Sequence, residues 1–134
     1  MKKLIPYFLL PILLLCGLYS NSQNKIAGKK LGISEKEYKS LIKSSTETCV
    51  LVEFYADWCA PCKKMNPYFE EIKNEMGEKI KLIRINADSN KTITNKLSVY
   101  SLPTIFLYKN EKMYWFNYGY ASKEEILRHI NQIL

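Results

Sequence analysis

Two cysteines with two residues between them, Cys59-Ala60-Pro61-Cys62, are the side chains of this 134-residue chain with the most chemistry to offer. Cysteines at this spacing either ligate a metal or pass electrons through a disulfide. A structural zinc site takes about four ligands. Outside the pair the chain has Cys16, Cys49 and one histidine, His129, far along the sequence. Redox chemistry is therefore the stronger reading, and no metal or other cofactor is expected. If the pair opens a helix, the first sulfur meets unpaired backbone N–H groups and the positive end of the helix dipole, which favour thiolate over thiol. Such a thiol titrates below the value of about 8.5 of free cysteine. Cys59, nearer the helix start, is expected as the exposed nucleophile. Cys62, one turn on and more buried, is expected to resolve the mixed disulfide.

The flanking pattern predicts the elements that must hold this pair. Residues 49–55, Cys-Val-Leu-Val-Glu-Phe-Tyr, are too apolar for a strand wetted on one side and suit the centre of a sheet. Pro61 fits the first turn of the helix that follows, where its missing N–H costs nothing. Met65, Phe69, Ile72 and Met76 recur at helical spacing, and Pro67 falls among them, where it should kink the helix. Residues 79–86 read as a second strand and 89–97 as a weaker helix. Residues 104–108 and 113–118 read as two strands of a hairpin joined through 109–112. Ser34 with Glu37, and Ser122 with Glu125, have capping-box spacing and open a first and a last helix. Ile126, Ile130, Ile133 and Leu134 give the last helix its apolar face. Helix, strand, helix, strand, helix, strand, strand, helix implies an α/β fold with a mixed sheet covered on both sides.

With these elements in place, Phe54-Tyr55-Ala56-Asp57-Trp58-Cys59-Ala60-Pro61-Cys62-Lys63 resembles the thioredoxin active-site signature, and Pro67, Asp88, Leu102-Pro103-Thr104 and Gly119 extend the likeness over about residues 34–134. The resemblance implies the thioredoxin fold and protein thiol-disulfide exchange. It implies a cis Leu102–Pro103 bond, a minority state of X-Pro bonds in general, with Pro103 against the cysteine pair. The backbone of Leu102 would pair with an extended substrate segment. Trp58, Ala60, Pro61, Leu102, Pro103 and Thr104 would form the surface that meets substrate. Relatives carry a buried acid where Glu53 stands, six residues before Cys59. A carboxyl in an apolar site has a raised pKa and can take a proton from Cys62. Arg84 stands where many relatives have a lysine near that acid, so an ion pair with Glu53 is also expected.

Other residues read as structural. Tyr55 replaces a more usual tryptophan and should pack. Cys49 should be a buried small hydrophobe, and His129 a solvated residue on the polar side of the last helix. Tyr114, Trp115, Phe116 and Tyr118 make an unusually aromatic strand. Alternation sends about half of them to each face; packing under helices is expected, with an exposed partner surface as the alternative. Departures from the family pattern are Ala60, where glycine is usual, and Glu111, where the hairpin turn often has glycine. Cytochrome-maturation relatives carry an insertion in the middle of the fold, and the short link at 76–79 leaves no room for one.

The first residues follow another plan. Met1-Lys2-Lys3 is basic, residues 4–15 are almost wholly apolar, and 17–22 turn small and polar. This is the layout of a secretory signal, with cleavage expected near Ser22. The apolar run is shorter than the roughly 20 residues of a membrane-spanning helix, although an uncleaved anchor is the alternative. Residues 23–33 read as a linker to a domain at 34–134. Without residues 1–22 the chain keeps 18 basic and 13 acidic residues, a net +5 spread along its length. No basic block marks a nucleic-acid partner.

The expected role is thus a monomeric, exported (periplasmic or secreted) thiol-disulfide oxidoreductase. Its partners would be disulfide-bearing proteins, with electrons from a membrane thiol carrier, because a cytosolic reductase would not reach it. Strongly oxidising relatives tend to have a histidine between the cysteines; Ala60-Pro61 has none, which favours reduction. A disulfide oxidase or isomerase, and a redox-inactive binding module, are the alternatives.

Overall fold

The computed structural model describes residues 32–43 and 48–134. The segments read as a signal and most of the linker lie outside these residues. The elements run α1 (Glu35–Ile42), β1 (Cys49–Tyr55), α2 (Ala60–Met76), a 3-10 turn (Gly77–Lys79), β2 (Ile80–Asn86), α3 (Lys91–Lys96), β3 (Thr104–Lys109), β4 (Lys112–Tyr118) and α4 (Lys123–Asn131). The four strands form one sheet in the order β2-β1-β3-β4, with β1 parallel to β2 and antiparallel to β3.

The apolar run at β1 lies at the centre, as its composition requires: six of its seven residues are fully buried. Alternation along β1 splits the core into two layers. Cys49 and Leu51 face Met65, Phe69 and Ile72 of α2 and Ile126 and Ile130 of α4. Val50, Val52 and Phe54 face Tyr38 and Ile42 of α1 and Ile93 of α3. Tyr38 reaches furthest: its hydroxyl lies 2.9 Å from that of Tyr108 on β3, and both are buried.

The caps form where Ser and Glu predict them. The Ser34 hydroxyl accepts from the Glu37 N–H (3.2 Å), and the Glu37 carboxylate accepts from the Ser34 N–H (2.7 Å), a complete box. The Ser122 hydroxyl accepts from the Glu125 N–H (3.2 Å). Helix α3 is shorter than expected because Asn90 is committed elsewhere. Its amide nitrogen donates to the Asn86 carbonyl (2.7 Å), and its oxygen accepts from the Ile33 N–H (2.7 Å), so it does not cap the helix. Helix α2 carries Pro67 inside an unbroken run of 17 residues. Helix α4 ends at Asn131, so Ile133 is only half-buried and Leu134 is exposed rather than part of its buried face.

The β3–β4 loop is the two-residue pair Asn110-Glu111, with φ of 52° and 64°. Both lie in the left-handed region, as a type I′ hairpin requires, and Glu111 adopts it despite its side chain.

Candidate active site

Cys59 is the N-cap of α2, held at the junction where β1 gives way to the helix. Ala60 and Pro61 form the first turn, which needs no N–H from proline. The Cys59 sulfur is bonded to that of Cys62 and accepts a hydrogen bond from the Cys62 N–H at 3.2 Å. The expected contrast in exposure is absent: with the disulfide closed, Cys59 is 2% and Cys62 1% exposed. What separates them is the helix start. Only the Cys59 sulfur occupies the capping position, where the end N–H groups converge.

The cysteines form a small apolar cluster with Ala56, against which Tyr55 and Leu102 pack. The Leu102–Pro103 bond is cis. Its surroundings hold it on two sides: the Pro103 carbonyl accepts from the Gly119 N–H (2.7 Å), and the buried Thr104 hydroxyl donates to the Ser101 carbonyl (2.7 Å). Trp58 is 70% exposed beside the cysteines, and its indole N–H donates to Asp88 Oδ2 (2.9 Å). Ala60 is exposed and Pro61 half-buried. The structure therefore gathers Trp58, Ala60, Pro61 and Leu102 around the disulfide, with Pro103 and Thr104 buried behind Leu102.

Glu53 has no exposed surface. Arg84 Nε donates to its Oε2 at 2.5 Å, while Oε1 has no hydrogen-bond partner among the described residues. Burial pushes the Glu53 carboxyl above the usual carboxylate range, and Arg84 offsets this only in part. Arg84 is itself positioned from three sides. It donates to Asn66 Oδ1 (2.6 Å), lies over the Tyr55 ring (4.6 Å to the centroid), and approaches Phe69 (5.7 Å). A cleft of about 330 Å³ brings Arg84, Asn66, Tyr55, Asp57 and Lys63 to the inner flank of Cys62. Asn66 carried no signal in the sequence beyond its place one turn after Cys62. Tyr55, expected only to pack, also holds the guanidinium.

Two structural expectations are corrected. His129 is not merely solvated: it stacks on Trp115 at 4.3 Å between centroids, with planes 16° apart. The aromatic strand is mostly uncovered, and Tyr114, Phe116 and Tyr118 are 49–53% exposed. The helices over that face reach only the inner strands, where Tyr38 meets Tyr108. Cys49 is buried as expected. Among the described residues no three His, Cys, Asp or Glu side chains converge as a metal site, and no helix is long and apolar enough to cross a membrane.

This arrangement can be set against known proteins. The thioredoxin family model matches residues 29–132. Thioredoxin of Bacillus subtilis is 34% identical over 96 residues, covering 72% of this chain and 92% of that protein. Thioredoxin of Rickettsia bellii is 32% identical over 99 residues, covering 74% and 93%. Among solved structures, mitochondrial thioredoxin 3 of Saccharomyces cerevisiae superposes with a TM-score of 0.64 at 25% identity, over 72% of this chain and 88% of that one. Chloroplastic thioredoxin z gives 0.66 at 26%, over 79% and 96%. Sequence relatives and structural neighbours agree over the region that places Cys59 and Cys62, and the chain belongs to the thioredoxin family of protein thiol-disulfide oxidoreductases.

Proposed function

We propose that this protein reduces disulfides of exported proteins, with Cys59 as nucleophile and Cys62 as resolving thiol. The observation that carries the assignment is the Cys62 N–H pointing at the Cys59 sulfur from the first turn of α2. A negative charge on that sulfur is favoured by the N–H and by the helix dipole. In the dithiol form, the Cys59 thiolate attacks one sulfur of a substrate disulfide, and the other leaves as a thiolate. Cys62 then loses its proton, which Glu53 accepts, and attacks the Cys59 sulfur. The second substrate sulfur departs and the Cys59–Cys62 disulfide closes. Two electrons have moved to the substrate, and a dithiol donor must return them. Leu102, beside the cysteines, offers its backbone to an extended substrate, with Trp58, Ala60, Pro61, Pro103 and Thr104 shaping the approach.

The basic and apolar start of the chain supports export, and with it a membrane thiol carrier as electron donor. N-terminal sequencing of exported protein should begin near Gln23; an intact Met1 on a membrane-bound form would replace export with anchoring. For the chemistry, Cys62→Ser should accumulate mixed disulfides with client proteins and Cys59→Ser should not. Equal trapping by both variants would remove the assignment of roles. A potential for the couple near the roughly −120 mV of the strongest thiol oxidants would turn the reductase into an oxidase.

A further inference from the structure

Strand β4 carries an aromatic row that the core does not use. Trp115 packs on the layer under α2 and α4. Its alternate neighbours belong to the other face, where Phe116 stands opposite Phe106 and Tyr118 opposite Thr104. On that face the packed layer stops at Phe106 and Tyr108 of β3. A register shift between Leu107 and Tyr108 leaves Tyr114 as the extra residue of β4. Tyr114, Phe116 and Tyr118 are each about half exposed, and the rings of Phe116 and Tyr118 meet edge to face at 5.4 Å. The far end of the row is closed by the Lys112 ammonium, 5.5 Å from the Tyr114 ring.

The near end of the row is at the active site. Tyr118 pairs with Thr104, the residue after Pro103, and the next residue, Gly119, bonds to the Pro103 carbonyl. Alternate residues of a strand are about 6–7 Å apart, so Tyr118 to Tyr114 extends about 13 Å away from the cis-proline. β4 is the last strand on its side of the sheet, so an extended chain can lie along it.

We propose that Tyr118, Phe116 and Tyr114 form an accessory docking strip for the client polypeptide. Its occupant is an extended, unfolded segment with apolar side chains flanking the cysteine under attack. This rests on the reductase reading only for where the client begins. A client whose cysteine is at Cys59 passes Leu102, and Tyr118 is the exposed aromatic side chain paired to that turn. Tyrosine and phenylalanine give large contact areas with few rotamers to freeze. The row bears no acid, and its one cation stands at the far end, so it selects apolar rather than charged flanks.

The test uses the whole chain with Tyr114→Thr and Phe116→Thr, since threonine keeps the strand propensity. Two disulfides are compared: oxidised glutathione, and a long peptide disulfide with apolar residues beside its cysteines. For the long peptide kcat/KM should fall about tenfold, mostly through KM, with glutathione disulfide reduced as before. Phe116→Thr alone should show the same split at about threefold. A dye-labelled peptide with serine for cysteine should bind wild type and lose affinity for the double variant. Unchanged peptide kinetics, or an equal fall for both disulfides, overturns the strip. So does a result in which the variants lose only vesicle binding or only self-association, which assigns the row to a lipid surface or a second copy. If wild type binds the serine peptide through the row yet reduces neither disulfide, the strip stands and the reductase reading falls.

Discussion

Arg84 donates to Glu53 at 2.5 Å, yet the Glu53 carboxyl holds its proton more tightly than an ordinary glutamate, because burial outweighs the ion pair. The sign for stability follows. Between the ordinary value of 4.5 and the raised one, the folded protein keeps this proton and the unfolded chain does not. Stability therefore falls as pH rises through that interval, and the full penalty applies above it. Glu53→Gln can still accept from Arg84 and has nothing to titrate. Its urea midpoint should match wild type below about pH 4 and exceed it at pH 8. Its thiol-disulfide exchange turnover should slow in resolution of the mixed disulfide, not in its formation. Wild-type turnover by Glu53→Gln across about pH 6 to 9 would make Glu53 purely structural.

Arg84→Ala should act in the opposite direction. Among the described residues it removes the one group that lowers the Glu53 pKa, and it leaves a buried carboxyl without its donor. A loss of about 2 kcal/mol at pH 7 is expected in urea unfolding, shrinking toward low pH as Glu53 takes up its proton.

The buried hydroxyl pair of Tyr38 and Tyr108 ties α1 to β3. Tyr38→Phe leaves the Tyr108 hydroxyl buried with no partner and should cost about 1–3 kcal/mol. Tyr38→Phe with Tyr108→Phe removes both polar groups, so the double variant should lose less than the two single losses added together. A double-mutant cycle by chemical denaturation measures this coupling, and simple additivity would show that the hydroxyls act independently.

The turn residue Glu111 has a φ of 64°, which disfavours any residue with a Cβ. Glu111→Gly creates the Asn-Gly pair that type I′ turns prefer. A gain of about 0.5–1 kcal/mol is expected, since relief of strain exceeds the extra entropy of glycine in the unfolded chain. A midpoint equal to or below that of wild type would contradict this.

The sequence made the reaction centre legible and left its surroundings largely unread. Cys59 and Cys62 were visible from their residue type and spacing, and cis-Pro103 and buried Glu53 from the resemblance to the thioredoxin signature. Asn66 and Tyr55 were not, because their roles come from Arg84 crossing from β2 to α2, a contact set by strand pairing. Asn90 illustrates the same limit: it bonds to Ile33, 57 residues away, a contact no local pattern announces. On β4 the sequence left packing and an exposed surface both open and favoured packing, because alternation tells which residues share a face, not whether a helix reaches far enough to cover them.

His129 shows how such a contact becomes measurable. Burial, with the neighbouring Arg128, pushes its imidazole down while it stacks on Trp115. A histidine lowered on folding contributes stability that is present above the ordinary value of 6.5 and is lost as pH falls through its folded value. His129→Gln should flatten the stability profile immediately below the ordinary histidine value of 6.5. A profile as steep as that of wild type would place the titration elsewhere.

Cys49 lies sealed at the start of β1, and burial pushes its thiol up, away from the reactive thiolate. A loose third sulfur would give an enzyme that trades disulfides a partner for its own mistakes. Entombed in the sheet, it instead becomes a built-in ruler. Within residues 48–134, an alkylating reagent applied to the native protein should mark only the active pair when that pair is open and nothing when it is closed. The same reagent after unfolding should always find one sulfur more. The mass difference between the two treatments then reports whether the fold is intact, and the native mass alone reports the redox state.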